Sequence, residues 1–117
     1  MLRIQRLPEV LEAALYDGID GAVLITAEGS ILCSKFTSES DMNETKLAAI
    51  SSNIWNSMSQ FNPDITMHML RLEEKTVAIT LADRTGYLIA VYGSNMGMLR
   101  GRLESLSIYF GRIFAKS

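Results

Sequence analysis

The sequence predicts an α+β fold in which a five-stranded antiparallel sheet carries helices on both faces. Segments with helical periodicity alternate with short strand-like segments in the order α-β-β-α-β-β-β-α. The strand-like segments lie close together and are joined by tight turns, which favours antiparallel pairing. Apolar residues occupy neighbouring positions of the central segments, as expected for strands that are covered on both sides.

The first elements are predicted to be a helix and a hairpin. An apolar stripe predicts the helix from Leu7 to Tyr16, and Asp17-Gly18 ends it. The hairpin has its strands at Gly21 to Ala27 and Ser30 to Phe36. Glu28-Gly29 forms its turn, because glycine readily adopts the positive φ that such turns require.

A second helix is predicted from Met42 to Gln60, and its composition is unusual. Polar residues from Thr37 to Asp41 offer N-caps, and Pro63 ends the helix. No charged residue occurs between Leu47 and Phe61, although a solvent-facing helix usually carries Lys and Glu. This absence predicts two buried faces, one against the sheet of the same domain and one against a partner.

The periodicity assigns residues to those two faces. The large apolar residues are expected to face the sheet, and they are Leu47, Ile50, Ile54, Met58 and Phe61. The opposite side is expected to face a partner, and it carries Ala48, Ser51, Ser52, Trp55 and Ser59. Trp55 is the expected anchor, since aromatic side chains are enriched at protein interfaces.

Three strands and a last helix complete the predicted order. The strands are Ile65 to Glu73, Thr76 to Ala82 and Tyr87 to Tyr92, and the helix is Met96 to Phe114. If the hairpin joins the far side of the sheet, the first of these strands is left at an edge. An edge strand that carries Met67, Leu70 and Leu72 and lacks proline is prone to pair with another strand.

Composition and charge limit the function classes. The chain of 117 residues is expected to form a single domain, 1–117, and its net charge of −2 with no basic patch argues against nucleic-acid binding. One cysteine and one histidine cannot supply an internal disulfide and do not suit a structural zinc site. No segment resembles a signal peptide or a membrane span, so a cytoplasmic location is expected, with any membrane contact through partners.

No catalytic, cofactor or metal site is predicted. His68 lies mid-strand without an evident nucleophile, Cys33 is expected to be a buried and inert thiol, and Glu73-Glu74 flank a turn as solvated charges. The glycines near the start of the last helix do not form a Walker motif, because no Gly-Lys-Ser/Thr follows them. Gly93 is expected to end a strand, and Gly97 and Gly101 are expected to allow close helix packing.

Several segments together resemble the roadblock/LC7 family, and within it the Ragulator branch. They are the start MLR, the hairpin GAVLITAEGSILCS, the helix AAISSNIWNSM, the strand TVAIT and the last-helix opening GMLRGRLESL. The resemblance covers nearly the whole chain. Its most specific parts are Ser52-Asn53-Ile54-Trp55 and Gly97-Met98-Leu99.

The resemblance implies a non-enzymatic adaptor. Two roadblock domains are expected to pair through central helices and adjacent edge strands, which makes one continuous sheet. The pair would help to recruit Rag-type small GTPases, with TOR and MAP-kinase signalling components, to late endosomes or lysosomes through a lipid-anchored scaffold subunit. The implied pairing surface consists of Ala48, Ser51, Ser52, Trp55, Ser59, Met67 and Met69.

Two other functions remain open within the same fold. One is a homodimeric roadblock regulator that stimulates a Ras-like GTPase, and the other is a dynein light chain. The Ragulator resemblance favours a heterodimer with another roadblock protein over a homodimer. The sequence leaves open the identity of that partner, the register of the edge strand and the face that meets a GTPase.

Overall fold

The computed structural model describes residues 11, 15, 19–38, 40–62, 64, 66–81, 87–94 and 96–115, with backbone alone at 96, 98 and 110–115. The described strands are β1 (Ile19–Thr26), β2 (Ile31–Phe36), β3 (Met67–Leu72), β4 (Lys75–Leu81) and β5 (Tyr87–Gly93). The described helices are α1 (Glu44–Phe61), between β2 and β3, and α2 (Met96–Ala115). The predicted N-terminal helix lies outside the described residues, except for Leu11 and Leu15.

The five strands form one antiparallel sheet in the order β2-β1-β5-β4-β3, which confirms the predicted fold class. The hairpin of β1 and β2 joins the sheet through pairing of β1 with β5. This leaves β2 and β3 at the two edges, as the sequence predicted for β3. The turn between β1 and β2 places Gly29 at a φ of +100°, which confirms the role of that glycine.

Helices cover both faces of the sheet, as predicted. The core against α1 contains Val23, Ile25, Met42, Leu47, Ala48, Val77, Ile79, Leu88, Ala90 and Tyr92. The core against α2 contains Leu11, Ile19, Ala22, Leu24, Cys33, Ala78, Ile89, Val91, Leu99, Leu103 and Leu106. Because successive strand residues point to opposite faces, the central strands supply apolar side chains to both cores.

The N-cap of α1 lies later than the sequence predicted. It is Asn43, whose side-chain oxygen accepts a hydrogen bond of 2.8 Å from the backbone N–H of Lys46. The predicted caps, Thr37 to Asp41, are wrong because Met42 is buried in the α1-side core, so the helix starts only after it. Asn62 ends the helix, and its N–H bonds to the carbonyl of Met58 at 3.1 Å.

Candidate functional site

The orientation of α1 differs from the prediction and decides where the candidate site lies. The residues of α1 that are buried are Leu47, Ala48, Ser51 and Ser52, so the small residues face the sheet. Met58 and Phe61 were expected in the core, but 44% and 85% of their surface is exposed. The predicted assignment of faces is therefore wrong for the small residues and for Met58 and Phe61. It holds for Leu47, which is fully buried, and in part for Ile50 and Ile54, which are half-buried against the α1-side core. Ala and Ser let the helix backbone lie close to the strands.

Two polar side chains anchor α1 on one flank. The hydroxyl of Ser52 donates a 2.8 Å hydrogen bond to the carbonyl of Ala27, and the Nδ2 of Asn56 donates to the same oxygen at 3.1 Å. Ala27 lies in the turn between β1 and β2. The rotation of the helix is thus fixed by the hairpin turn, which directs Ile54 and Met58 toward β3.

A mainly apolar groove of about 470 Å³ runs between α1 and the edge strand β3. Its described lining consists of Asn53, Ile54, Ser57 and Met58 from the helix and Met67, His68, Met69 and Leu70 from the strand. None of these residues carries a full charge at neutral pH. Such a groove beside a strand edge that no described strand covers is suited to binding another polypeptide.

His68 and Trp55 join the helix to the strand. Their rings meet edge to face, with 5.2 Å between centroids and 76° between planes. Only 6% of His68 is exposed, and its Nε2 is buried without a hydrogen-bond partner. Burial lowers the pKa of His68, so the imidazole is neutral at pH 7.

The register of β3 shows which side chains face α1. His68 pairs with Ile79 and Leu70 pairs with Val77, and both partners belong to the α1-side core. The side chains of Met67 and Met69 alternate with them and therefore lie on the opposite face, although both residues also line the groove along the open edge of β3. Leu70 and Met69 are each 37% exposed, so β3 carries an exposed apolar side chain on each face.

In the free chain the seven residues of the predicted pairing surface lie in different places, and their role in pairing stays a prediction. Ala48, Ser51 and Ser52 lie under α1, whereas Met67 and Met69 lie on the α2 side of β3. Trp55 and Ser59 are half-buried. The structure also brings Ile54 and Met58 to the groove beside β3. The sequence argument had placed both in the core; Ile54 does pack against it, whereas Met58 is exposed. The apolar stripe that could have indicated Met58 was assigned entirely to the sheet.

A separate polar cluster closes the other end of the sheet. Lys75 of β4 forms an ion pair with Asp20 of β1, and the Tyr92 hydroxyl donates a 2.8 Å hydrogen bond to Asp41. Burial, helped by this carboxylate, raises the pKa of Tyr92 to about 12, and the same hydrogen bond lowers the pKa of Asp41. The ion pair thus joins β4 to β1, and the hydrogen bond joins β5 to the segment before α1.

The described residues hold no group of three or more His, Cys, Asp or Glu side chains placed to bind a metal ion. Within the same part of the chain, neither helix is both long and apolar enough to cross a membrane. Cys33 is buried, and burial raises the pKa of its thiol to about 11, which disfavours the reactive thiolate. Glu73-Glu74 form an exposed turn, with Glu73 at a φ of 47°.

Known proteins resemble this chain in sequence and in fold. A Ragulator complex protein LAMTOR2 homolog from Caenorhabditis elegans is 28% identical over 112 residues, which cover 93% of this chain and 90% of that protein. The gliding protein MglB from Thermus thermophilus has a TM-score of 0.82 at 18% identity, over 97% of this chain and 92% of that chain. A Roadblock/LC7 domain from Streptomyces avermitilis has a TM-score of 0.76 at 15% identity, over 95% of this chain and 98% of that chain.

The family profile agrees with these similarities. The Roadblock/LC7 domain profile matches residues 8–92, which span the hairpin, α1 and strands β3 to β5. At the identities of the two solved structures, their likeness supports the fold alone, whereas the profile match extends over most of the sequence. The chain belongs to the Roadblock/LC7 family.

Proposed function

We propose that this chain is a non-enzymatic adaptor subunit that pairs with a second roadblock domain through the groove between α1 and β3. The observation that carries the proposal is an edge strand with an apolar groove beside it. Pairing would extend the sheet of one domain into that of the other and would bury Met58 and Leu70.

The edge strand offers backbone groups to a partner. β3 has the sequence MHMLRL, with no proline and with a single charged residue, the exposed Arg71 near its C-terminal end, to discourage edge-to-edge pairing. Hydrogen bonds to a partner strand would occupy its outward N–H and C=O groups, while Leu70 and Met69 would gain apolar contacts. Both effects favour association in the same geometry.

The groove-facing side of α1 loses little free energy when a partner removes its water, because it is uncharged. Ile54 and Met58 face the groove with the neutral side chains of Asn53 and Ser57, and α1 has no charged residue after Lys46. A partner helix can therefore approach without burying an unpaired charge. Trp55, Ser59, Met67 and Met69 border this region and remain in the proposed surface, whereas Ala48, Ser51 and Ser52 would set the position of the helix.

The proposed partner is a scaffold-type roadblock subunit, which gives a heterodimer. Support comes from the relative of 28% identity, whose name assigns it to the Ragulator complex. By this proposal the pair is held at the cytosolic face of late endosomes or lysosomes by a lipid-anchored subunit. There it would recruit Rag-type small GTPases, with the TOR and MAP-kinase components that they serve.

The test is sedimentation of this chain with the scaffold-type roadblock subunit of the same genome. Met58→Glu places a charge in the groove and is expected to weaken pairing at least about tenfold, because the carboxylate must be buried. Gln60→Glu is the matched control on an exposed part of the same helix and is expected to pair like the unmodified chain. Equal affinities of the two variants, both with unchanged circular dichroism, would contradict the proposal.

A homodimer is the competing outcome of the same experiment. A second copy of this chain would present the same uncharged helix and the same edge strand. If the chain alone sediments as a tight dimer and does not exchange with the scaffold-type subunit, the homodimeric GTPase-regulator function is favoured. Hydrolysis of GTP by a Ras-like GTPase with and without the chain then tests that function.

A further inference from the structure

We propose that His68 is the polar recognition contact of the pairing surface: the partner roadblock domain places a neutral hydroxyl or carboxamide side chain against Nε2 of His68. This inference rests on the proposed function, because it requires a second roadblock domain in the groove. It goes further by naming the residue that selects the partner and the chemistry that the partner must present.

The first observation is an unsatisfied atom. Among the described side chains, only Nε2 of His68 and Oγ of Ser51 are buried without a hydrogen-bond partner. Buried polar groups in folded proteins are nearly always bonded, since losing water without a replacement destabilises the fold. Ser51 lies beneath α1 with no exposed surface, whereas His68 lines an open groove on an edge strand. Of the two atoms, Nε2 of His68 is therefore the one that an incoming chain can satisfy, once the groove side chains that cover it are displaced.

The second observation is that the imidazole is held in place. Trp55 contacts it edge to face at 5.2 Å between ring centroids, and its strand neighbour across the sheet is Ile79. A fixed ring presents Nε2 in one direction, so the hydrogen bond costs little conformational entropy when a partner arrives. A histidine side chain that is free to rotate on the surface would not discriminate between partner domains in this way.

The surroundings of His68 select a neutral partner group. The groove lining, the indole of Trp55 and the side chain of Ile79 contain no titratable group other than His68 itself. Burial also keeps the imidazole neutral, in agreement with its lowered pKa. A neutral imidazole bonds well to a hydroxyl or a carboxamide, whereas a lysine or a carboxylate from the partner would have to be buried as a charge.

This contact would discriminate between partners. A roadblock domain with an apolar side chain opposite His68 would leave Nε2 unpaired, as it is in the free chain, whereas a domain with a hydroxyl or carboxamide there would satisfy it and bind more tightly. This chain's own α1 carries groups of the required kind at the groove, Asn53 and Ser57. A second domain with a similar helix can therefore meet the requirement.

The test compares His68→Phe with Ser51→Ala in thermal unfolding of the free chain and in affinity for the scaffold-type roadblock subunit. Each change removes one of the two unpaired buried atoms, and the phenyl ring keeps the contact with Trp55. We expect both variants to be at least as stable as the unmodified chain. His68→Phe should pair at least about tenfold more weakly, because the partner's polar group loses its bond, while Ser51→Ala should pair normally.

A rescue variant and a pH series complete the experiment. Gln offers a terminal amide near the position of Nε2, so His68→Gln should pair more tightly than His68→Phe. If His68→Phe proves too unstable to purify, His68→Gln is compared with the unmodified chain instead and should pair only somewhat more weakly. Affinity of the unmodified chain should fall as the pH drops through the pKa of His68 in the free chain, which burial holds below the ordinary value of about 6.5, because a neutral partner group favours the neutral imidazole. A rise in affinity would reveal a carboxylate partner and overturn the inference.

The outcomes separate the two proposals. If the unmodified chain pairs and both His68→Phe and His68→Gln pair as tightly, the recognition contact is wrong while the pairing function stands. If Met58→Glu pairs as tightly as Gln60→Glu, the groove is not the pairing surface and both proposals fall.

Discussion

The indole of Trp55 meets the imidazole of His68 edge to face, with ring centroids 5.2 Å apart and planes at 76°. This contact joins the central helix α1 to the edge strand β3. Only one side of β3 is held by a neighbouring strand, β4, so a side-chain contact with α1 is a main restraint on its position. The half-buried tryptophan therefore stabilises the strand that we propose for pairing.

Replacing Trp55 tests this restraint. Trp55→Ala is expected to lower the free energy of unfolding by about 2–3 kcal/mol, somewhat less than for a fully buried aromatic residue. His68 should also become hydrated, so its pKa should move up toward the ordinary value. Urea unfolding and an NMR titration of the single histidine measure the two effects. Trp55→Phe keeps an aromatic edge contact and should show less of both; equal losses in the two variants would contradict the ring contact.

The stability of the chain should depend on pH through His68. Its lowered pKa in the folded chain means that the unfolded chain binds the proton more readily. Stability should therefore fall as the pH is lowered from about 6.5 toward 5, and this part of the dependence should be absent in His68→Phe.

Asp41 also makes the stability of the chain depend on pH, but in a more acidic range than His68. The Tyr92 hydroxyl lowers the pKa of Asp41, so its contribution is present above the ordinary carboxyl pKa of about 3.9 and is lost only as the pH falls below it. Chemical unfolding at closely spaced pH values resolves the two. An unchanged slope between pH 5 and 6.5 in His68→Phe would show that another group is responsible.

The helix α1 could be predicted from the sequence, but its rotation could not. The uncharged segment and its period located the helix within a few residues. Either of two faces could have met the sheet, and the sequence argument assigned the large apolar residues to it, which is wrong for Met58 and Phe61. The deciding contact is the carbonyl of Ala27, which accepts from Ser52 and Asn56 across 25 and 29 residues of sequence. Such a contact depends on the hairpin turn and has no local signal.

For the edge strand β3, too, one feature could be predicted from the sequence and another could not. Its position followed from connectivity, because β1 pairs with β5 and thereby leaves β3 outside. The alternation of β3 could also be predicted, since Met67 and Met69 must share a face. Which helix covers that face depends on the register with β4, and the structure assigns them to the side of α2.

Two neighbouring serines on α1 should respond differently to the same substitution. The Oγ of Ser51 is buried without a partner, whereas the Oγ of Ser52 donates to Ala27 at 2.8 Å. Replacement by Ala raises helix propensity equally at both positions, so this contribution cancels when they are compared. Ser51→Ala should be more stable than Ser52→Ala by about 1–2 kcal/mol in urea unfolding. Equal stabilities would mean that the Ser51 hydroxyl is bonded in solution.

Cys33 should be unreactive in the folded chain. Its thiol is buried and its pKa is raised to about 11, so little thiolate forms near pH 8. A colorimetric thiol reagent should label the native chain far more slowly than the urea-unfolded chain. Fast labelling of the native chain at a rate independent of added denaturant would contradict the burial of β2 against the α2-side core.

Two glycines provide a final matched pair. A Cβ added at Gly21 would come within 2.1 Å of Cδ2 in the Phe36 ring, which lies opposite it on β2. A Cβ added at Gly101 would meet no atom of the described residues within 4 Å, so the prediction that this glycine allows close helix packing is wrong for that part of the chain. Gly101→Ala should stabilise the chain by about 1 kcal/mol through helix propensity, and Gly21→Ala should destabilise it by about 1–3 kcal/mol as the ring is displaced. Thermal unfolding of both variants checks the signs, and stabilisation by Gly21→Ala would show that the Phe36 ring does not cover the β1 backbone.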